Sequence, residues 1–348
     1  MMADIIPTTS FDAQTNAALW LIVLVSIGLL GLGADRLVTA AAELARALGV
    51  PKIIIGATIV SLGTTTPEVC VSVAAAFKGN ADLALGNAVG SIIVDTGLIF
   101  GLCCLLKPLP MDRFVLNRHG WLQTGAGLLL TALCLGLWAR SGDIHNVVLP
   151  RAAGILLVTL LVGYLYLSAR WARQHPQGVP EAPDVPVRQA RQVGRVAKDL
   201  LILAVGLGMV VLGSETLIGS VRVICERNHV PPSVLAVTLV AFGTSVPELV
   251  TGLAAILKGH GDISVGNIVG ADILNVLSVT GLSAIAAPLR VEPVFFYLHL
   301  PAMMVMLLLF RGYILGGRQQ FHRWQGAVLL AAYAAFVVLT VTVTQRMP

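Results

Sequence analysis

Apolar residues run along this chain in stretches long enough to cross a bilayer, with short polar breaks between them. The runs fall at about 17–42, 53–77, 83–107, 120–139, 147–170, 198–223, 234–257, 263–288, 294–311 and 324–345. A hydrocarbon core about 30 Å thick asks for roughly 20 apolar residues in helical conformation, so each run predicts one transmembrane helix. The expected fold is therefore an all-α polytopic membrane protein of about ten helices. One longer polar stretch, residues 172–197, is rich in Pro, Gln and Arg and divides the chain into 17–171 and 198–345, with five spans in each. It is too short to hold a regulatory domain and reads as a linker.

The two halves share more than their span count. Gly63-Thr64-Thr65-Thr66-Pro67-Glu68 returns as Gly243-Thr244-Ser245-Val246-Pro247-Glu248, 180 residues later and without a gap. At that offset residues 56–101 and 236–281 agree at 17 of 46 positions, among them Lys78, Gly79, Asp82, Gly86, Asn87 and Gly90 with Lys258, Gly259, Asp262, Gly266, Asn267 and Gly270. That is far above what biased composition produces. An odd number of spans per half places the second copy upside down, giving two inverted-topology five-helix repeats related by an axis in the membrane plane.

Composition fits this layout: 56% of residues are hydrophobic, 12% are charged and the mean hydropathy is +0.85. With the N-terminus outside, the loops on the inner side hold fifteen Lys and Arg residues and the outer loops seven, as the positive-inside rule requires. Both termini are then expected outside, and the 172–197 loop in the cytoplasm of a cell bounded by this inner membrane. The formal net charge of +5 is explained by these loops and gives no reason to expect nucleic acid. No basic n-region with a cleavage site precedes the first run, so no cleaved signal peptide is expected. Cys70, Cys103, Cys104, Cys134 and Cys225 show no CxxC or Cys/His spacing, which predicts structural thiols rather than a zinc site or disulfide framework.

The repeated motif carries the chemistry. Pro67 removes a backbone donor and crowds the preceding turn, so the second span should break near Gly63 and Thr64. Irregular backbone at membrane depth is tolerated inside protein or beside a water-filled cavity. Carbonyls released near Ser61 and Ala241 could then face a cation. An ionisable group near the bilayer centre costs about 2.5–3.5 kcal/mol on insertion scales, which makes Glu68 and Glu248, at matching positions, strong site candidates. The plainer alternative is a protonated glutamate that ties helices together. Thr64, Thr65, Thr244 and Ser245 offer hydroxyls beside the acids, although such groups commonly bond their own helix backbone. In the following spans Ser91 and Asp95 share a helix face at i,i+4, as do Ala271 and Asn275. Asp272 reads equally as site margin or helix tie.

Taken together these residues are hard oxygen donors without imidazole or thiolate, suited to Ca²⁺ or Na⁺. Asp35 and Glu215, also matched at the 180 offset, belong to an access path or a helix end. Lys78-Gly79 and Lys258-Gly259, followed by Asp82 and Asp262, are expected in turn and N-cap roles. Met303, Met304 and Met306 read as helix packing.

At these residues the chain resembles the calcium/cation antiporter superfamily, in particular prokaryotic sodium/calcium exchangers, whose two alpha-repeats look like 56–101 and 236–281. The resemblance implies that Glu68 and Glu248 are central ligands, with Thr64, Thr65, Ser91, Asp95, Thr244, Ser245 and Asn275 around them and the Ser61 and Ala241 carbonyls contributing. Two departures stand out: the family commonly carries Asn in the first repeat and Asp in the second where this chain has Asp95 and Asn275, and Ala271 replaces a frequent serine. The function expected is secondary active antiport of Na⁺ against Ca²⁺ by alternating access, with no cofactor and no enzymatic activity. The partners expected are the transported cations and the bilayer. H⁺ coupling on the same fold is the nearest alternative. A cation channel is more distant, and no aspartyl dyad motif supports an intramembrane hydrolase.

Overall fold

The computed structural model describes residues 9–77, 81–174, 188–227, 243–316 and 319–344. The N-terminal α1, Asn16–Leu48, starts where the Thr15 side chain accepts the Ala18 amide (3.3 Å) and ends at Gly49, whose φ of 65° requires a residue without Cβ. Helices α2, Lys52–Thr64, and α3, Thr66–Phe77, form one bent span with 43° between them. After them come α4, Leu83–Leu106; α5, Arg113–Ser141; and α6, Arg151–Gln174. The second half holds α7, Arg188–Arg227; α8, Val246–Leu257; α9, Gly261–Ala286; α10, Phe295–Leu315; and α11, Arg323–Thr344.

Eight of these helices are long and apolar enough to cross a membrane, and the bent α2–α3 pair makes a ninth. α8 is a shorter apolar helix, and the start expected for its span at residue 234 lies outside the described residues. The predicted 172–197 linker is helical up to Gln174 and again from Arg188, because its Arg-, Gln- and Ala-rich end favours helix once the prolines are passed. α5 begins seven residues before the apolar run expected at 120, since Asp112 caps it by accepting the Val115 amide at 3.1 Å. Asp262 corrects another expectation: His260 occupies the N-cap of α9, and Asp262 sits inside the first turn, where a carboxylate still favours the helix dipole. Gly259 does form the turn, with φ 75°, whereas Lys78, Gly79 and the Asp82 side chain lie outside the described residues.

The repeated segments occupy the centre. In α9 89% of the apolar window is buried and in α4 72%, against 17% in α11, so the other helices form a jacket with Trp20, Leu24, Tyr166 and Val338 facing outward to lipid. Close backbone approach makes this centre dense. A Cβ on Gly56 would lie 2.6 Å from the Ile263 carbonyl, and one on Gly270 2.5 Å from the Ala57 carbonyl, so α2 and α9 meet almost backbone to backbone. Phe100, Phe310 and Phe321 pack ring against ring at 4.8–5.4 Å and join α4 to α10 and the loop before α11. Met303 and Met306 are buried in this core, as expected for packing residues.

Two short antiparallel clips close the structure. β1, Leu109–Pro110, pairs with β4, Gln320–Phe321; β2, Val148–Leu149, pairs with β3, Leu289–Arg290. Each clip joins a loop of one half to a loop of the other. β1 and β4 lie in the loops after α4 and α10, and β2 and β3 in the loops after α5 and α9.

Candidate functional site

Ser61, Thr64, Thr65, Glu68, Ser91, Asp95, Ser245, Glu248 and Asn275 are all buried, and Thr244 is half-buried. Helix irregularity puts them there. α2 widens into a π-helical segment at Gly56–Val60, and π-helical turns occupy Val94–Phe100 in α4 and Asn275–Thr280 in α9. Such single-turn widenings concentrate at functional sites because they release or redirect backbone and side-chain groups. Asp95 and Asn275 both lie in these wide turns.

The expected break after Gly63 takes the form of a bend at Thr65, the residue between α2 and α3. The Ser61 carbonyl is not released by it: Ser61 O accepts the Thr65 amide at 2.9 Å and the Thr64 hydroxyl at 3.4 Å. A carbonyl about three turns before Glu68 is handled differently. Ala57 O, within the π segment, accepts the Tyr164 hydroxyl from α6 at 2.6 Å. Ala241 lies outside the described residues.

Contacts cross between the halves. The Thr65 hydroxyl donates to Glu248 Oε1 at 3.3 Å, and Asn275 Nδ2 donates to Asp95 Oδ2 at 3.5 Å, so the symmetry mates Asp95 and Asn275 meet directly. Glu68, Glu248 and Asp95 lie close enough to repel one another electrostatically. Six site oxygens are buried without a protein donor: Glu68 Oε2, Glu248 Oε2, Asp95 Oδ1, Asn275 Oδ1, Ser91 Oγ and Ser245 Oγ. Buried acceptors left unpaired are costly, and a cation is one partner that relieves such a cost. Among the described residues no three His, Cys, Asp or Glu side chains converge closely enough to chelate a metal by themselves. Hydroxyl, amide and carbonyl oxygens would have to complete any coordination shell.

Asp272 accepts from Gln123 Nε2 at 2.6 Å and from the Thr96 hydroxyl, tying α9 to α5 and α4. Asp35 pairs with Lys258 at 2.6 Å on the exposed side of α1, and Lys258 also reaches Asp35 O and the Thr39 hydroxyl. Glu215, its sequence mate in α7, lies within electrostatic range of Glu68. Cys103, Cys104 and Cys134 are buried thiols and Cys70 is exposed, all unbridged, while the Cys225 side chain is outside the described residues.

Several partners escape the sequence reading. Asn87 and Asn267 bond site threonines: the Thr244 hydroxyl donates to Asn87 Oδ1 at 3.0 Å, and the Thr64 hydroxyl to Asn267 Oδ1 at 3.2 Å. Their repetition at the 180 offset was the available signal. Gln123 and Tyr164 come from helices outside the repeated segments, and nothing in their spacing marks them.

Comparison with known proteins agrees with this architecture. The family model described as sodium/calcium exchanger protein matches residues 18–170 and 198–342. Inner membrane protein YrbG of Escherichia coli is 34% identical over 290 residues, covering 83% of this chain and 86% of that protein. The sodium/calcium exchanger MaX1 of Methanosarcina acetivorans is 30% identical over 342 residues, covering 92% of this chain and 97% of that protein. A solved structure of the sodium-calcium exchanger NCX_Mj, soaked with Na⁺ and Sr²⁺, superposes with a TM-score of 0.77 at 25% identity over 93% of this chain and 99% of that one.

Proposed function

Since the chain belongs to the sodium/calcium exchanger family, a family of membrane transporters and not of enzymes, we propose that it carries Ca²⁺ out against an inward Na⁺ gradient at one central site. Both ions compete for the oxygens of Glu68, Glu248, Asp95 and Asn275, aided by Thr64, Thr65, Ser91, Thr244 and Ser245 and by the Ala241 carbonyl. The observation that carries this reading is the set of six buried oxygens without protein donors. Ca²⁺ takes six to eight oxygen ligands in flexible geometry, and the set contains no soft donor. Three carboxylates balance one Ca²⁺ or about three Na⁺, so occupancy by one ion excludes the other.

Exchange then follows from electrostatics. With no cation bound, three acids in a buried, low-dielectric centre make the empty site costly to carry across, and either cargo relieves that cost. A loaded centre can change its exposure from one face to the other while an empty one resists. Access alternates as helices outside the dense α2–α4–α8–α9 centre shift across it; α1 and α7, which carry Asp35 and Glu215, are the elements assigned to that movement. The positive-inside distribution places both termini outside and the loop between α6 and α7 in the cytoplasm.

Reconstituted protein in liposomes, assayed for radiolabelled Ca²⁺ uptake under separate outward Na⁺, K⁺ and H⁺ gradients, tests this. Uptake driven by Na⁺ alone is expected. Uptake driven by H⁺ alone would transfer the coupling to protons carried on the same carboxylates, and flux without any counter-ion would make the protein a channel.

A further inference from the structure

The geometry points to Asn87 and Asn267 as positioning residues that fix the hydroxyl protons of Thr244 and Thr64, so that these threonines meet a cation with lone pairs only. A threonine hydroxyl has one proton and two lone pairs, and it can turn the proton toward whatever accepts it. Facing a positive ion the proton is repulsive and the lone pairs are attractive. Thr244 stands one turn before Glu248 and gives its proton to Asn87 Oδ1 at 3.0 Å. Thr64 stands one turn before Glu68, and its hydroxyl donates to Asn267 Oδ1 at 3.2 Å, nearer than the Ser61 carbonyl at 3.4 Å that shares the same proton. Each asparagine belongs to the opposite half from the threonine it serves and is buried, 5% and 0% exposed. The same bond thus appears twice across the pseudo-two-fold axis.

The second shell is not symmetric. Asn87 Nδ2 donates to the Ser72 hydroxyl at 3.0 Å, which locks the amide with its oxygen toward Thr244. The residue matching Ser72 in the other half is Gly252, and Asn267 Nδ2 is buried without a partner. A Cβ at Gly252 would stand 3.3 Å from Ser264 Oγ and 3.4 Å from Cys103 Sγ, so these two side chains already fill the space that a serine would take. One relay therefore has three members, Ser72–Asn87–Thr244. The other has two, Asn267–Thr64, and its amide nitrogen has no protein partner. Cation affinity at Thr244 is set more firmly than at Thr64.

This assignment rests on the exchanger reading, and its test separates the two. Wild type, Asn87→Ala, Ser72→Ala, Thr244→Ala and the Asn87→Ala/Thr244→Ala double variant of the full chain are purified. Each is assayed for half-saturating Ca²⁺ and Na⁺ and for maximal exchange rate in liposomes. In parallel the rise of melting temperature with Ca²⁺ concentration gives an apparent affinity that needs no transport.

Asn87→Ala is expected to raise half-saturating Ca²⁺ about tenfold, the factor for one charge-assisted contact, with a smaller change in maximal rate. In the Thr244→Ala background the same change should shift it less than about twofold, because the residue it acts through is gone. Ser72→Ala should give about a threefold shift in the same direction, and it decides the matter if Asn87→Ala aggregates on size exclusion. Unchanged affinity in either variant, or an equal effect with and without Thr244, would overturn the relay. Loss of Na⁺-driven flux in wild type, with the melting shifts intact, would instead overturn exchange and leave the relay standing.

Discussion

Asp95 and Asn275 face each other 3.5 Å apart at matching positions of the two repeats, so the charge of the centre is lopsided by one side chain. Exchanging the two residues keeps the composition of the centre and moves the charge about one contact away. Asp95→Asn alone should lower Ca²⁺ transport at least thirtyfold, roughly the factor for 2 kcal/mol of lost charge contact, and the double exchange with Asn275→Asp should recover most of it. Radiolabelled Ca²⁺ uptake by the three proteins checks this; no recovery in the double variant would show that the position of the acid matters and not its presence. Glu68→Gln and Glu248→Gln should each reduce exchange to background in protein that remains monodisperse. At the same scale, Gly252→Ser sets a Cβ 3.3 Å from Ser264 Oγ and 3.4 Å from Cys103 Sγ, tighter than ordinary contact. Overpacking of about 1 kcal/mol should lower the melting temperature in detergent by about 2 °C, and a rise would mean that Ser264 and Cys103 give way.

Among the elements, the π-helical turn of α2 matters most, because it frees a backbone carbonyl that another helix then takes up. Tyr164 of α6 holds the Ala57 carbonyl of the widened α2 at 2.6 Å. Tyr164→Phe should cost about 1–2 kcal/mol, read as faster thermal inactivation, while the side-chain ligand set stays in place. This level is also where sequence and structure part. The polytopic helical fold, the bend just before Pro67 and the burial of both Glu68 and Glu248 were legible, because hydrophobic length, a missing amide and a 180-residue repeat are written in residue order. The wide turns at Gly56, Val94 and Asn275 were not, since no residue type demands them and they arise from packing between helices. Gln123 and Tyr164 were hidden for the same reason: their partners are chosen by the crossing of α5 and α6 over the repeats. The Ser61 carbonyl was misjudged as free because the chain bends at Thr65 while keeping the Thr65-to-Ser61 hydrogen bond.

Across the whole molecule, orientation follows from loops that the fold fastens together. Gln320 and Arg290 are exposed and sit on clips at opposite faces. Single cysteines at these positions, in a chain whose exposed Cys70 is replaced by Ser, should react with a membrane-impermeant thiol reagent from opposite sides. Arg290→Cys should label in intact cells and Gln320→Cys only in inverted vesicles; the reverse would turn the topology over without disturbing the site. The clips also bear on how the chain is made. Ribosomes deliver Leu109 and Pro110 early, but their strand partner at Gln320 and Phe321 emerges only after α10, and Val148 and Leu149 wait likewise for Leu289 and Arg290. Neither half can finish its own edges during synthesis. Completion of the β1–β4 clip is thus a late event in biogenesis, and a nascent chain stalled before residue 320 presents an unpaired strand that quality-control machinery can recognise.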